Sequence, residues 1–122
     1  MSRMCALVFL VLLPTFAAAD PGGAIRVIDA DTWDVGGQRV RLFGIDAPEI
    51  DQPCQDARGE TWDCGKWASA QVRARFDGQQ ASCRKVTRDR YLRIVARCRV
   101  AGQDVGRVLV QNGWAFAYRQ YS

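Results

Sequence analysis

Carboxylates gather at two places in the first half of the chain: Asp29 and Asp31 in IDADT, and Asp46 and Glu49 in GIDAPE. Two anions held close repel each other unless a proton or a cation lies between them. A hard divalent ion bound through oxygen resolves that repulsion. The competing reading makes Asp46 and Glu49 simple turn residues around Pro48. The sequence contains no histidine, which removes histidine-based acid–base chemistry and the triad hydrolases. A hydrolase built from this chain must use a carboxylate as its base, with a cation or arginines set against developing negative charge. Arg41 and the run RKVTRDRYLR, residues 84–93, supply the guanidinium groups. A cation, a carboxylate and two guanidiniums together suit a phosphate diester. The competing reading of each arginine is a solvated strand residue.

These groups need a frame. AIRVIDADTWDVGGQRVRLFGI reads as strand, strand, turn, strand: Ile25 and Val27 alternate with Arg26, Trp33 and Val35 with Asp34, and Gly36-Gly37 signals a hairpin. If the start of the second strand lies beside the end of the third, Asp31 and Asp46 face one another. Pro48 ends the third strand, and residues 50–63 read as a loop. CGKWASAQVRARFDG predicts a helix with Trp67, Ala70, Gln71 and Ala74 on its inner face, Asp63 as N-cap and Gly78 at its end. QASCRKV and LRIVARCRV predict two more strands joined by TRDRY. DVGRVLVQNG predicts a second helix with Asp104 as N-cap, Val105, Val108 and Leu109 inward and Gly113 at its end. Strands interrupted by two helices indicate a small barrel of OB type or a related β-rich α+β fold.

The chain opens with Arg3, an apolar run and the small residues Ala17–Ala19. That pattern predicts a cleaved export signal over residues 1–19 and a mature domain over 20–122. The alternative, a membrane anchor, needs about 20 apolar residues. Cys5 leaves with the leader, and four cysteines remain. In an exported chain an even number reads as disulfides; of three pairings, Cys54–Cys64 and Cys83–Cys98 are favoured, the first closing a short loop and the second joining neighbouring strands. Zinc would ask for a CxxC pair or histidine, and neither is present. Charge is segregated. Residues 20–63 hold ten acidic and four basic residues, and residues 64–122 hold three acidic and twelve basic. A polyanion partner with a cation site fits that division; a mixed solvated surface is the alternative.

VIDADTWDV, RVRLFGIDAPE, DRYLRIVA and LVQNGWAFAY occur in that order along nearly all of residues 20–122. In these segments the chain resembles the staphylococcal nuclease-like (thermonuclease) family. The resemblance implies a five-stranded OB barrel with helices packed on it, and a calcium-dependent nuclease of DNA or RNA that leaves 3′-phosphates. It implies Asp31 and Asp46 as calcium carboxylates, with the backbone carbonyl of Ala47 where the family often has Thr. It implies Glu49 as the residue that activates water, Arg41 and Arg93 as phosphate-binding arginines, Asp29 as an outer carboxylate, and Tyr91 and Tyr118 as walls of the nucleotide pocket. The expected protein is a secreted or periplasmic monomer without stable membrane association once its leader is removed. Leu92 departs from the family's Gly before Arg93, Gly106 from an Asn, and the family's third C-terminal helix has no counterpart before Ser122. Those departures keep a catalytically weak or inactive nucleic-acid-binding module as the alternative.

Overall fold

The computed structural model describes residues 8–14 and 20–118. Residues 8–14 carry no helix or strand, and the rest of the expected leader, with Cys5, lies outside the described residues. No described helix is long and apolar enough to cross a membrane.

The barrel strands are β1 (Gly22–Asp29), β2 (Thr32–Val35), β3 (Gln38–Leu42), β7 (Gln80–Arg88) and β8 (Ile94–Val100). The shorter β4 (Ile45–Asp46), β5 (Cys54–Gln55), β6 (Thr61–Trp62), β9 (Gln103–Asp104) and β10 (Phe116–Ala117) decorate it, with helices α1 (Cys64–Phe76) and α2 (Val105–Gln111). The order β3-β2-β1-β7-β8 closes through a parallel β3–β8 pairing, giving a five-stranded mixed barrel of OB type. Closure demands bent strands. Register shifts at Val27/Asp29 in β1 and Lys85/Thr87 in β7 supply the bends.

Alternation fills the interior. Ile25, Val27, Trp33, Val35, Val40 and Leu42 point inward and are buried. Trp33 meets Phe76 of α1 at 5.0 Å between ring centroids, and its indole N–H donates to the carbonyl of Ala30. Backbone groups freed by the β1 bulge are recovered by α1 and its C-cap: Arg73 donates to the carbonyls of Val27 and Ile28, and the Asp77 carboxylate accepts from the Val27 N–H at 2.7 Å. The second helix follows its expectation, with Val105, Val108 and Leu109 buried and the Asp104 carboxylate accepting from the Arg107 N–H.

The first helix keeps its span but not its expected face. Gly65, Ala68, Ser69, Val72 and Phe76 are buried, while Trp67 is 41% exposed. Trp67 instead packs edge-on against Trp62 at 5.7 Å. Asp63 occupies the N-cap position without a capping side-chain bond. Residues 50–63 are not a plain loop either, since β5 and β6 pair within them. Disulfides join Cys54 to Cys64 and Cys83 to Cys98. The first ties that hairpin to the start of α1. The second spans residues directly opposite in the β7–β8 ladder.

Candidate nuclease site

Register builds the acidic corner. The Gly36-Gly37 turn sets Val35 opposite Gln38, which places Thr32 opposite Arg41. The Leu42 N–H then donates to the Asp31 carbonyl at 2.9 Å. Two residues past β3, the short β4 carries Asp46 and is held by β10, with Phe116 opposite Asp46. Asp31, Arg41 and Asp46 therefore meet from three segments.

Arg41 is the hub. Its Nη2 lies 3.3 Å from the Asp31 carboxylate and 3.3 Å from the Asp46 carboxylate. Its Nη1 donates to the carbonyls of Leu42 and Ile45 at 3.0 Å each. The Asp31 carboxylate also accepts from the Ala47 N–H at 2.9 Å. Burial pushes the Asp31 carboxyl up. The Arg41 charge and the Ala47 N–H oppose that rise, the Asp29 side chain adds to it, and the result is about 6. Asp29 in turn accepts from the Thr32 N–H at 3.0 Å. Two carboxylates that converge on one cationic nitrogen mark a place where positive charge is wanted. Their oxygen ligands are of the kind that hard cations take. Among the described residues no three His, Cys, Asp or Glu side chains form a ready cage.

The second arginine sits on the β7–β8 turn. Asp89 organises it: its carboxylate accepts from the backbone N–H groups of Tyr91 and Arg93 and, at 2.7 Å, from Nε of Arg93. Burial acts to raise the Asp89 carboxyl. The bonds from the Arg93 side chain and from the Arg93 and Tyr91 backbone, with the Arg93 charge, outweigh it and hold the group below its usual value. Leu92 takes φ +64°, the left-handed conformation that a glycine adopts freely. Arg93 is docked on Asp89 all the same. The strand expected from Leu92 begins only at Ile94, because Leu92 belongs to the turn.

Arg41, Tyr91, Arg93 and Tyr118 line one cavity of about 580 Å³, with Phe43, Gly44 and Ile45 along its floor. The Arg90 and Arg93 guanidiniums lie 5.0 and 5.6 Å from the Tyr91 ring centre. The Tyr118 N–H donates to the Gly44 carbonyl. The structure thus brings Arg41, Tyr91, Arg93 and Tyr118 to one cavity; Asp31 and Asp46 do not line it and are joined to it through their ion pairs with Arg41.

Glu49 stands apart: it is exposed and does not line the cavity. Its backbone is fixed, however. The Glu49 N–H donates to the Gln52 side chain, its carbonyl accepts from the Gln52 N–H at 2.8 Å, and a Cβ at Gly65 would overlap that carbonyl oxygen. Sequence reasoning missed Gln52 and Gly65, which position Glu49, and Asp89, which positions Arg93. The signal for Asp89 was a carboxylate four residues before the arginine. Nothing in the sequence marked Gly65.

The family model described as Staphylococcal nuclease homologue matches residues 39–122. The chain belongs to this family. It is 41% identical over 99 residues to the succinoglycan biosynthesis protein ExoI of Rhizobium meliloti (strain 1021), covering 79% of this chain and 52% of that protein. It is 31% identical over 119 residues to a protein of Escherichia coli named as an uncharacterized endonuclease, covering 93% and 71%. It is 32% identical over 95 residues to the probable endonuclease LCL3 of Schizophyllum commune (strain H4-8 / FGSC 9210), covering 67% and 30%. The chain thus spans about half the length of the first of these relatives.

Proposed function

We propose that this staphylococcal nuclease homologue is an exported, calcium-dependent phosphodiesterase that cleaves DNA or RNA strands and leaves 3′-phosphates. The observation that carries the reading is Arg41, held between Asp31 and Asp46 at the rim of a cavity that also contains Arg93. Endonuclease-named relatives support it. The two disulfides support an oxidising compartment, periplasmic or extracellular, and with it a leader over 1–19 and a mature domain over 20–122. The active species is a monomer.

Asp31, Asp46 and the Ala47 carbonyl would hold the calcium ion, which supplies positive charge against the substrate phosphate when bound. Arg41 and Arg93 donate to the phosphoryl oxygens as charge grows on them; a preorganised donor of this kind is worth about 3–4 kcal/mol. Glu49 takes the proton of the water whose oxygen bonds to phosphorus, the P–O5′ bond breaks, and the 5′-oxygen leaves and takes a proton from solvent. Tyr91 and Tyr118 wall the nucleotide. The exposed position of Glu49, outside the cavity lining, favours one alternative: a barrel that binds strands without cutting them. Digestion of denatured DNA and of RNA by the purified protein decides between the two readings. Cleavage with calcium that stops in chelator is expected. Full cleavage in excess chelator overturns the calcium dependence, and strand binding without any cleavage leaves the binding module.

A further inference from the structure

On the other side of Phe43 from Arg93 lies a second cavity, of about 900 Å³, lined by Arg97 and Arg99 of β8 and Arg107 of α2. Both cavities lie against Phe43, Gly44 and Ile45, so the two are neighbours along that segment. The Arg97 guanidinium sits 4.5 Å from the centre of the Phe43 ring. Arg84 stands directly opposite Arg97 in the β7–β8 ladder, where like charges on one face repel. All four arginines are exposed. Among the described residues none of them has a carboxylate within ion-pair distance. Asp104 lines the groove too, yet its carboxylate is engaged by the Arg107 N–H.

We infer that this arginine groove binds the phosphate backbone of a single nucleic acid strand as it runs out of the cleavage cavity past Phe43. Three exposed arginines against a single carboxylate, Asp104, which stands opposite Arg99, leave an excess of positive charge next to the cleavage cavity that an extended polyanion neutralises, whereas an isolated phosphate would need one arginine cluster only. Phe43, with its stacked guanidinium, offers a flat face to an unpaired base at the junction. The inference rests on the phosphodiesterase reading for where the strand is cut, but strand binding itself does not depend on it.

The test measures binding of a fluorescent 20-nucleotide DNA strand in chelator, across a salt series, for the wild-type protein and for the triple variant Arg97→Ala, Arg99→Ala, Arg107→Ala. Removing three phosphate contacts is expected to weaken binding at least tenfold at low salt and to reduce the slope of log K against log salt by about 2. The triple Lys variant keeps the slope. The single Arg99→Glu variant, at an exposed position, gives the same direction of change should the triple variant fold poorly. Cleavage then supplies an independent arm. With calcium, the ratio of kcat/KM for the 20-nucleotide strand to that for a dinucleotide is expected to fall about tenfold in the triple Ala variant. If cleavage proceeds but slope and ratio are both unchanged, the groove assignment is overturned and the phosphodiesterase reading stands. If neither substrate is cut while the slope still falls, the groove stands and that reading falls. Dextran sulfate bound with the same arginine dependence, while the DNA strand is not, overturns the nucleic acid assignment.

Discussion

The two arginines of the cavity are held in opposite ways. Arg41 belongs to the barrel: the β1–β2 turn, β3 and β4 converge on it, its N–H groups donate to one carboxylate and two carbonyls, and a second carboxylate, Asp31, pairs with its charge. Arg93 belongs to a turn: one carboxylate, Asp89, fixes its backbone and its Nε, and its neighbour Leu92 sits at φ +64°. The barrel places a charge by strand register, which many residues share. The turn places a charge by a short local loop of bonds, which few residues share. Damage at the first should spread through the fold, and damage at the second should stay local.

That contrast is broken most severely at Arg41. Arg41→Ala leaves the largely buried Asp31 carboxylate facing Asp46 without its counter-charge. Breaking a fully buried pair costs ~3–5 kcal/mol; with Asp46 open to solvent, about 2–3 kcal/mol is expected here. Denaturant melts should show that loss together with a fall in kcat of about 10²–10³. Arg93→Ala should lower kcat by a similar factor while changing stability by less than about 1 kcal/mol, because its ion pair with Asp89 lies at a partly exposed turn. Equal destabilisation by the two variants would erase the distinction between barrel and turn.

A smaller effect separates the two regions by pH. Asp89 is held below its usual value of 3.8 by its bonds to the turn. A depressed carboxyl contributes stability that is present above its unfolded value and lost as pH falls through the folded one. The wild type should therefore lose Tm more steeply than Asp89→Asn below about pH 3.8. Parallel Tm curves for the two proteins in acid would show that Asp89 does not hold the turn through its charge.

How much of this was legible in the sequence follows the same division. The place of Asp31 beside the end of β3 could be read because the Gly36-Gly37 turn fixes register, whereas β4 and its β10 partner, not that register, place Asp46, and Arg41 stands between the two acids. The pairing of cysteines was legible for the same reason in the β7–β8 ladder. The inner face of α1 was not. Counting apolar spacing from Trp67 selected a large side chain, whereas the helix buries Gly65, Ala68, Ser69, Val72 and Phe76, and Gly65 lets it come against the Glu49 backbone. Trp67 has its partner in Trp62, contributed by a hairpin whose position depends on the Cys54–Cys64 bond. The engagement of Arg41 by both acids, and of Arg93 by Asp89, lies in side-chain rotamers that a strand pattern does not encode.

The smallest expected effect is at Leu92, and it tests whether the turn carries strain at all. A left-handed non-glycine residue costs about 1–2 kcal/mol. Glycine would remove that cost but adds freedom to the unfolded chain, worth about 0.5–1 kcal/mol in the other direction. Leu92→Gly should then raise stability by only about 0.5–1 kcal/mol. Its effect on kcat should be under about twofold, since Arg93 already reaches Asp89 with Leu92 in place. On the proposed calcium reading, calcium affinity should not move, because Asp31 and Asp46 sit on other segments. A tenfold rise in kcat would mean that Leu92 displaces Arg93 in the working enzyme. It would also mean that a turn, unlike a barrel strand, can hold its arginine and still hold it in the wrong place. The double variant Leu92→Gly, Arg93→Ala separates the cases, because any gain that acts through Arg93 disappears when that guanidinium is removed.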